Sequence, residues 1–301
     1  MRKEFTDYLK RAFRDPNFIL LTADLGFGIF DDFENKYPNQ FINVGIAEQL
    51  MSSLSCGLAS EGYRPVAYSI GNFPTLRSLE QIRNDIIYHS CNVKIVTNGA
   101  GFSYGASGMS HHATEDLGVI RSLPKSFIFS PASSYECKFL IDLFFSNHGF
   151  GYLRLDKYST NLMPTKIENN LNPILYHEGK DSSVLLLSHG TTLSLYEEMI
   201  LDSNIKDYIT IASVPFLVRT KYLNQLLLKN RYIITTEEHQ ICCGFGSFIA
   251  EIIIDNQFEN KLYRFGLLDS FSEYVGSQSY LRSKYLPSTH ELIHKVKELI
   301  F

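Results

Sequence analysis

The sequence predicts an α/β protein of two unequal domains, each a mostly parallel sheet with helices over its faces. Three observations predict it. Apolar runs of strand length alternate with helix-period segments from residue 3 to residue 155. A polar, turn-rich stretch breaks the alternation over 158–182. The alternation then resumes. The expected division is 1–165 for the first domain, 166–182 for a linker and 183–301 for a smaller second domain.

Residues 3–14 carry Phe5, Tyr8, Leu9, Ala12 and Phe13 at helical spacing, and Asp15-Pro16-Asn17 stops that helix. Phe18 to Ala23 is a strand that ends at Asp24-Leu25-Gly26. In open α/β sheets, ligands bind where strands end. Phe41 to Val44 reads as a short buried strand, and Leu50, Leu54, Leu58 and Ala59 as the stripe of the next helix. Between them, Gly45-Ile46-Ala47-Glu48-Gln49 puts a carboxylate in a first helical turn. Pro65 to Ile70 is a strand, Gly71-Asn72-Phe73-Pro74 a loop, and Leu79, Ile82, Ile86 and Ile87 a helical stripe. Asn92 to Thr97 leads into 98–108, which holds four glycines in eleven residues and lets backbone approach a ligand closely. Ser110 or Thr114 is expected to cap the helix carrying Val119, Ile120 and Leu123. Strands at 127–130 and 151–155 flank a helix at 135–145. Beyond the break, strands are expected at 183–187, 208–214, 232–236 and 262–267, with a closing amphipathic helix at 289–300.

Composition narrows the function. Hydrophobic residues make up 45% and charged residues 20%, ordinary values for a globular protein. A net charge of −4 gives no basic surplus for nucleic acid. No apolar run reaches the ~18 residues of a membrane span. The N-terminal residues lack a secretory core. Five cysteines, with no Cys-x-x-Cys pair, argue against a disulfide framework and a zinc site. A reducing, cytoplasmic setting is the expectation.

Several residues carry two readings. Glu48 is either a solvated helix-terminal carboxylate or, in an apolar pocket, a tuned proton carrier. Asp24 is a turn residue or a ligand contact. Phe73 packs in the core or stacks on a flat heterocycle. His111 and His112 lack the i, i+4 partner of a zinc helix, which leaves a capping histidine or one that hydrogen-bonds a substrate. Glu237-Glu238-His239, before Gly244 and Gly246, reads as a solvated turn or a subunit contact.

In combination and in order, these segments resemble the transketolase family of thiamine diphosphate enzymes, over nearly the whole chain. The segments are Ala23 to Gly26, Asn43 to Gln49, Phe73, Gln81 to Asn84, Gly105 to Glu115, Glu237 to His239 and Gly244 to Ser247. The resemblance implies a pyrimidine-binding domain followed by a transketolase C-terminal domain. It implies that Glu48 touches N1′ of the cofactor's aminopyrimidine and shares the proton that activates it. Phe73 stacks on that ring, Ile70 and Leu76 line the same pocket, and Asp24 lies beside it. His111, Ser107 and Lys157 face the sugar. The implied activity is transfer of a two-carbon ketol unit from a ketose to an aldose.

The family's Gly-Asp-Gly segment, which binds Mg²⁺ and the diphosphate from an N-terminal domain, is missing. The resemblance is therefore to the C-terminal subunit of a split transketolase, with no metal ligand of its own. An N-terminal partner subunit is expected, in an α₂β₂ heterotetramer with a two-fold axis. Ala106 and Ser107 replace an acidic pair, Gly99 a phosphate-binding histidine and Gly28 a phosphate-binding serine. Lys157 replaces an arginine, keeping the charge without the bidentate fork. These departures point from ordinary pentose phosphates to a specialised sugar. Two other readings stay open: a subunit like deoxyxylulose-phosphate synthase or the β chain of a 2-oxoacid dehydrogenase, and a non-catalytic assembly paralogue.

Overall fold

The computed structural model describes residues 1–301. Strands β1 (Phe18–Thr22), β2 (Phe41–Asn43), β3 (Arg64–Ile70), β4 (Lys94–Asn98), β5 (Phe127–Phe129) and β6 (Gly151–Leu155) form the first sheet. Their order is β2-β1-β3-β4-β6-β5, and every pair is parallel. Leu20, Val66, Lys94 and Gly151 lie in one row across it. Every residue of β1, β4 and β6 is buried, as expected where helices cover both faces. On one face, the helices Arg2–Ala12 and Ser134–Ser146 meet through the stacked rings of Tyr8 and Phe145, 3.9 Å apart. On the other, Met51, Ile82, Ile86, Leu117 and Ile120 join one core.

Strands β7 (Ile174–Glu178), β8 (Val184–Ser188), β9 (Ile209–Ser213), β10 (Tyr232–Gln240) and β11 (Lys261–Leu267) form the second sheet, ordered β11-β10-β8-β9-β7. Four strands are parallel, and β7 runs antiparallel on the edge. The strand β7 falls inside 166–182, where the sequence suggested a linker. The sheets share a core: Phe216 stacks on Phe129 at 4.5 Å and on Phe127 at 5.1 Å. The closing helix spans Thr289–Ile300, with a capping box of Ser288 and Glu291.

Several local expectations need correction. The buried face of helix Glu48–Ser60 is Glu48, Met51, Ser52, Ser55 and Cys56, while Leu50 is 55% exposed. Small serines can be buried there because their hydroxyls are satisfied: Ser52 pairs with Ser78, and Ser55 donates to the Met51 carbonyl. Strand β2 is an edge strand and only half-buried. Phe73 lies in a short helix, Asn72–Arg77, not in a loop. Residues 82–87 form a π-helical turn. Neither Ser110 nor Thr114 caps the helix Asp116–Arg121: Ser110 Oγ meets His111 Nδ1, and Thr114 donates to Glu115. Glu237, Glu238 and His239 are not solvated. They lie within β10, all buried.

His189, just past the end of β8, makes stability pH-dependent. Its Nδ1–H donates to the Val214 carbonyl at 2.6 Å, and its Nε2 has no partner. Burial pulls its pKa from 6.5 down to about 3. Across that window the unfolded chain takes up a proton that the folded chain refuses. Stability is therefore held above 6.5 and falls as pH drops, by up to ~1.4 kcal/mol per pH unit from this group. His189→Gln should flatten the fall in urea stability between about pH 7 and 4.5. An equally steep fall in the variant would assign it to other groups.

Candidate active site

The candidate residues gather where the strands of the first sheet end. Glu48 opens the helix after β2, Phe73 lies in the helix after β3, His111 in the loop after β4, and Lys157 just past β6. Asp24 follows β1, with a left-handed φ of 54°. Asn43 Oδ1 accepts both the Asp24 and the Gly45 N–H at 3.0 Å, which ties the Asp24 turn to the glutamate segment.

Glu48 is a buried carboxylate on an open cleft. Its side chain is only 5% exposed, and its Oε1 accepts from Arg77 Nη1 at 2.8 Å. The Arg77 guanidinium lies 4.4 Å from the centre of the Phe73 ring. That ring meets the His111 ring edge-on at 5.1 Å. Glu48, Phe73 and His111 are thus joined through Arg77, a residue that sequence reasoning missed. Its four-residue offset from Phe73 on one helix was the available signal. The cleft, about 520 Å³, is lined by Ile46, Ala47, Glu48, Gln49, Leu50 and Arg77. Ile46 and Leu50 stand exposed in it, and Leu76, the residue before Arg77, is exposed as well.

The other sequence candidates make no hydrogen bond or ring contact with this group. Ile70 is half-buried, with a methyl beside Gly99. Ser107 is exposed. The Lys157 ammonium sits 3.8 Å from the centre of the Tyr104 ring. The Tyr104 hydroxyl accepts from Asn98 Nδ2, and its ring fills the space over Gly99, where a Cβ would collide with it. A histidine at 99 has no room here. Desolvation and then the neighbouring Arg2 charge push the Lys157 pKa down. Arg2 was also missed.

The loop that carries His111 is held from below by the second sheet. Phe102 N–H donates to Glu238 Oε2 at 2.9 Å, and Gln278 and Arg282 also donate to Glu238. A side chain at Gly101 would strike Glu238. Ser103 donates to Asp156, which also accepts from Gln278. At the loop's C-terminal end, Gly118 N–H donates to His239 Nε2 at 3.1 Å.

These residues fit the aminopyrimidine end of thiamine diphosphate. A buried carboxylate and an aromatic face already share a flat nitrogen donor, the Arg77 guanidinium. No group of three or more His, Cys, Asp or Glu side chains is arranged to hold a metal ion.

Residues 1–161 match the family described as "Transketolase, pyrimidine binding domain". The chain is 30% identical to a putative transketolase C-terminal section of Methanocaldococcus jannaschii, over 90% of this chain and 87% of the relative. It is 31% identical to an apulose-4-phosphate transketolase subunit of Actinobacillus succinogenes, over 83% of this chain and 81% of that one. A solved structure described as a split gene transketolase, inactive beta4 tetramer, superposes with a TM-score of 0.82 at 26% identity, covering 99% of this chain and 95% of that one. These relatives are thus a section, a subunit and a split-gene form of transketolases. No helix here is long and apolar enough to cross a membrane. The chain belongs to the transketolase family, and is similar over most of its length to the C-terminal section of a transketolase.

Proposed function

We propose that this chain supplies half of a thiamine diphosphate site and, joined to an N-terminal subunit, transfers a two-carbon ketol unit from a ketose to an aldose. The observation that carries the reading is Glu48: a carboxylate buried at a helix start, on an open cleft, with an aromatic ring close by. Burying a carboxylate is costly and calls for a use or a partner.

When bound, thiamine diphosphate supplies the electron sink for breaking and making the carbon–carbon bond. In this reading Glu48 binds N1′ of the aminopyrimidine and exchanges a proton there. Phe73 offers its face to the ring, with Ile70, Leu76 and Asp24 forming the surroundings. His111 donates a hydrogen bond to a sugar hydroxyl or carbonyl, or passes it a proton. Ser107 stands by for another hydroxyl. Lys157 and Arg2, adjacent cations without a carboxylate partner in an ion pair, suit an anionic group such as a sugar phosphate. The relative from Actinobacillus succinogenes belongs to a transketolase for one such compound, apulose 4-phosphate. Mg²⁺ and the diphosphate are held mainly by the partner, and the complex is an α₂β₂ heterotetramer of the cytoplasm. Exposed Ile46 and Leu50 in the cleft, with exposed Leu76 next to Arg77 in the chain, are what a second chain would cover.

The test is reconstitution with the N-terminal subunit. Calorimetry should show tight thiamine diphosphate binding, with Mg²⁺, by the two-chain complex and little by this chain alone. A ketose–aldose screen on the complex should then give turnover. Tight binding by the isolated chain would refute the half-site reading. Ordinary turnover of xylulose 5-phosphate with ribose 5-phosphate would refute the specialised sugar.

A further inference from the structure

The reading above gives Arg77 no role, yet its guanidinium sits between the two groups that would recognise the pyrimidine. It donates to Glu48 Oε1 at 2.8 Å and covers the Phe73 ring at 4.4 Å. A guanidinium is flat, rich in N–H donors and stacks on aromatic faces. It therefore makes on this chain the two contacts that the thiamine diphosphate reading gives to an aminopyrimidine. One face of Phe73 cannot serve both.

We propose that Arg77 is a displaceable stand-in for the cofactor's aminopyrimidine: it fills the Glu48–Phe73 site of the free chain and swings into solvent as the ring enters. The inference rests on the thiamine diphosphate reading of this site. Three features carry it. The carboxylate and the guanidinium are unequal in burial: the Glu48 side chain is 5% exposed and that of Arg77 is 51% exposed. Arg77 is the sole protein hydrogen-bond donor to the Glu48 carboxylate, so when it leaves no other side chain competes with an entering ligand for that oxygen. Arg77 is also the last residue of the helix Asn72–Arg77 and lines the open cleft. Its side chain can leave by rotation, with no backbone rearrangement.

The consequence is a competition. A site closed part of the time has its apparent affinity reduced by the fraction of time it is open. Arg77 would keep the carboxylate neutralised and the ring covered in chains that have not met their partner.

The test uses the two-chain complex, titrated calorimetrically with thiamine diphosphate in excess Mg²⁺. Arg77→Ala should bind the cofactor about two- to fivefold more tightly than wild type, the range expected for removing a half-exposed ion pair. Arg77→Lys keeps the charge and loses the flat face, and should fall between the two. Arg77 is half-exposed, so neither change should disturb the fold, and thermal unfolding of each variant checks this. Equal or weaker binding by Arg77→Ala, with wild type binding normally, overturns the stand-in and makes Arg77 a support of the bound site. A wild-type complex that assembles but takes up no thiamine diphosphate overturns the underlying reading, and this inference with it.

Discussion

Glu48→Ala should cut the turnover of the reconstituted two-chain complex by about 10²–10⁴-fold, the usual contribution of one positioned proton carrier. Glu48→Gln should fall almost as far. Glutamine keeps the length and a hydrogen-bonding oxygen but cannot take up a proton at neutral pH. The pair of variants therefore separates proton exchange from shape. The cleft is not a packing core, since Glu48 faces an opening of about 520 Å³ and its one ion-pair partner is half-exposed. Both variants should still assemble with the N-terminal subunit on size exclusion. Turnover within a factor of about two of wild type in the alanine variant would remove Glu48 from the chemistry and bring the assembly paralogue forward.

The largest effect on stability is expected at Asp116. Asp116 Oδ2 accepts from Arg154 Nε at 2.8 Å and from the Tyr152 hydroxyl at 2.7 Å. Both ends of this ion pair are buried, with side-chain exposures of 4% for Arg154 and 0% for Asp116. Arg154 also donates to the Ala113 carbonyl, at the base of the glycine loop. Removing one partner leaves a guanidinium stranded away from water. Asp116→Ala should therefore cost about 3–5 kcal/mol in urea unfolding. Asp116→Asn keeps an acceptor for Arg154 and should cost less. A loss under about 1 kcal/mol in the alanine variant would mean that water reaches Arg154 and the pair is not sealed.

Much of this architecture was legible in the sequence, because fully buried parallel strands announce themselves as unbroken apolar runs. Phe18 to Thr22 and Val184 to Leu187 are examples. The edge strand β7 was not legible. Its burial alternates, and it sits among asparagines and prolines that read as linker. Helix 48–60 was found, but its buried face was misjudged. Apolar periodicity cannot see serines that satisfy their own hydroxyls, or leucines left out at an opening. At the site, Glu48, Phe73 and His111 came from a motif, and the structure brings them into one contact chain. What joins them is Arg77, whose one signal was its four-residue offset from Phe73, hidden because 71–74 read as a loop and not as part of a helix. Glu238 was singled out, but read as a solvated turn or subunit contact, for another reason. Its partners, at 102, 278 and 282, are a long way off along the chain, and only the fold makes them neighbours.

That clamp has a consequence for anyone who recombines relatives. The residues beneath the glycine loop are contributed by β10 and by the helix Gln278–Tyr285. A chimera cut between the sheets would pair one parent's residues 101–103 with the other parent's 238, 278 and 282. Gly101 leaves no space for a mismatch there, since Glu238 already occupies the volume of a missing methyl group. Such hybrids should fail by misplacing His111 even when both halves come from active parents. Exchanging 101–103, 238, 278 and 282 as one block should restore it. The heritable unit is thus a set of residues scattered along the chain, not the half that carries the motif.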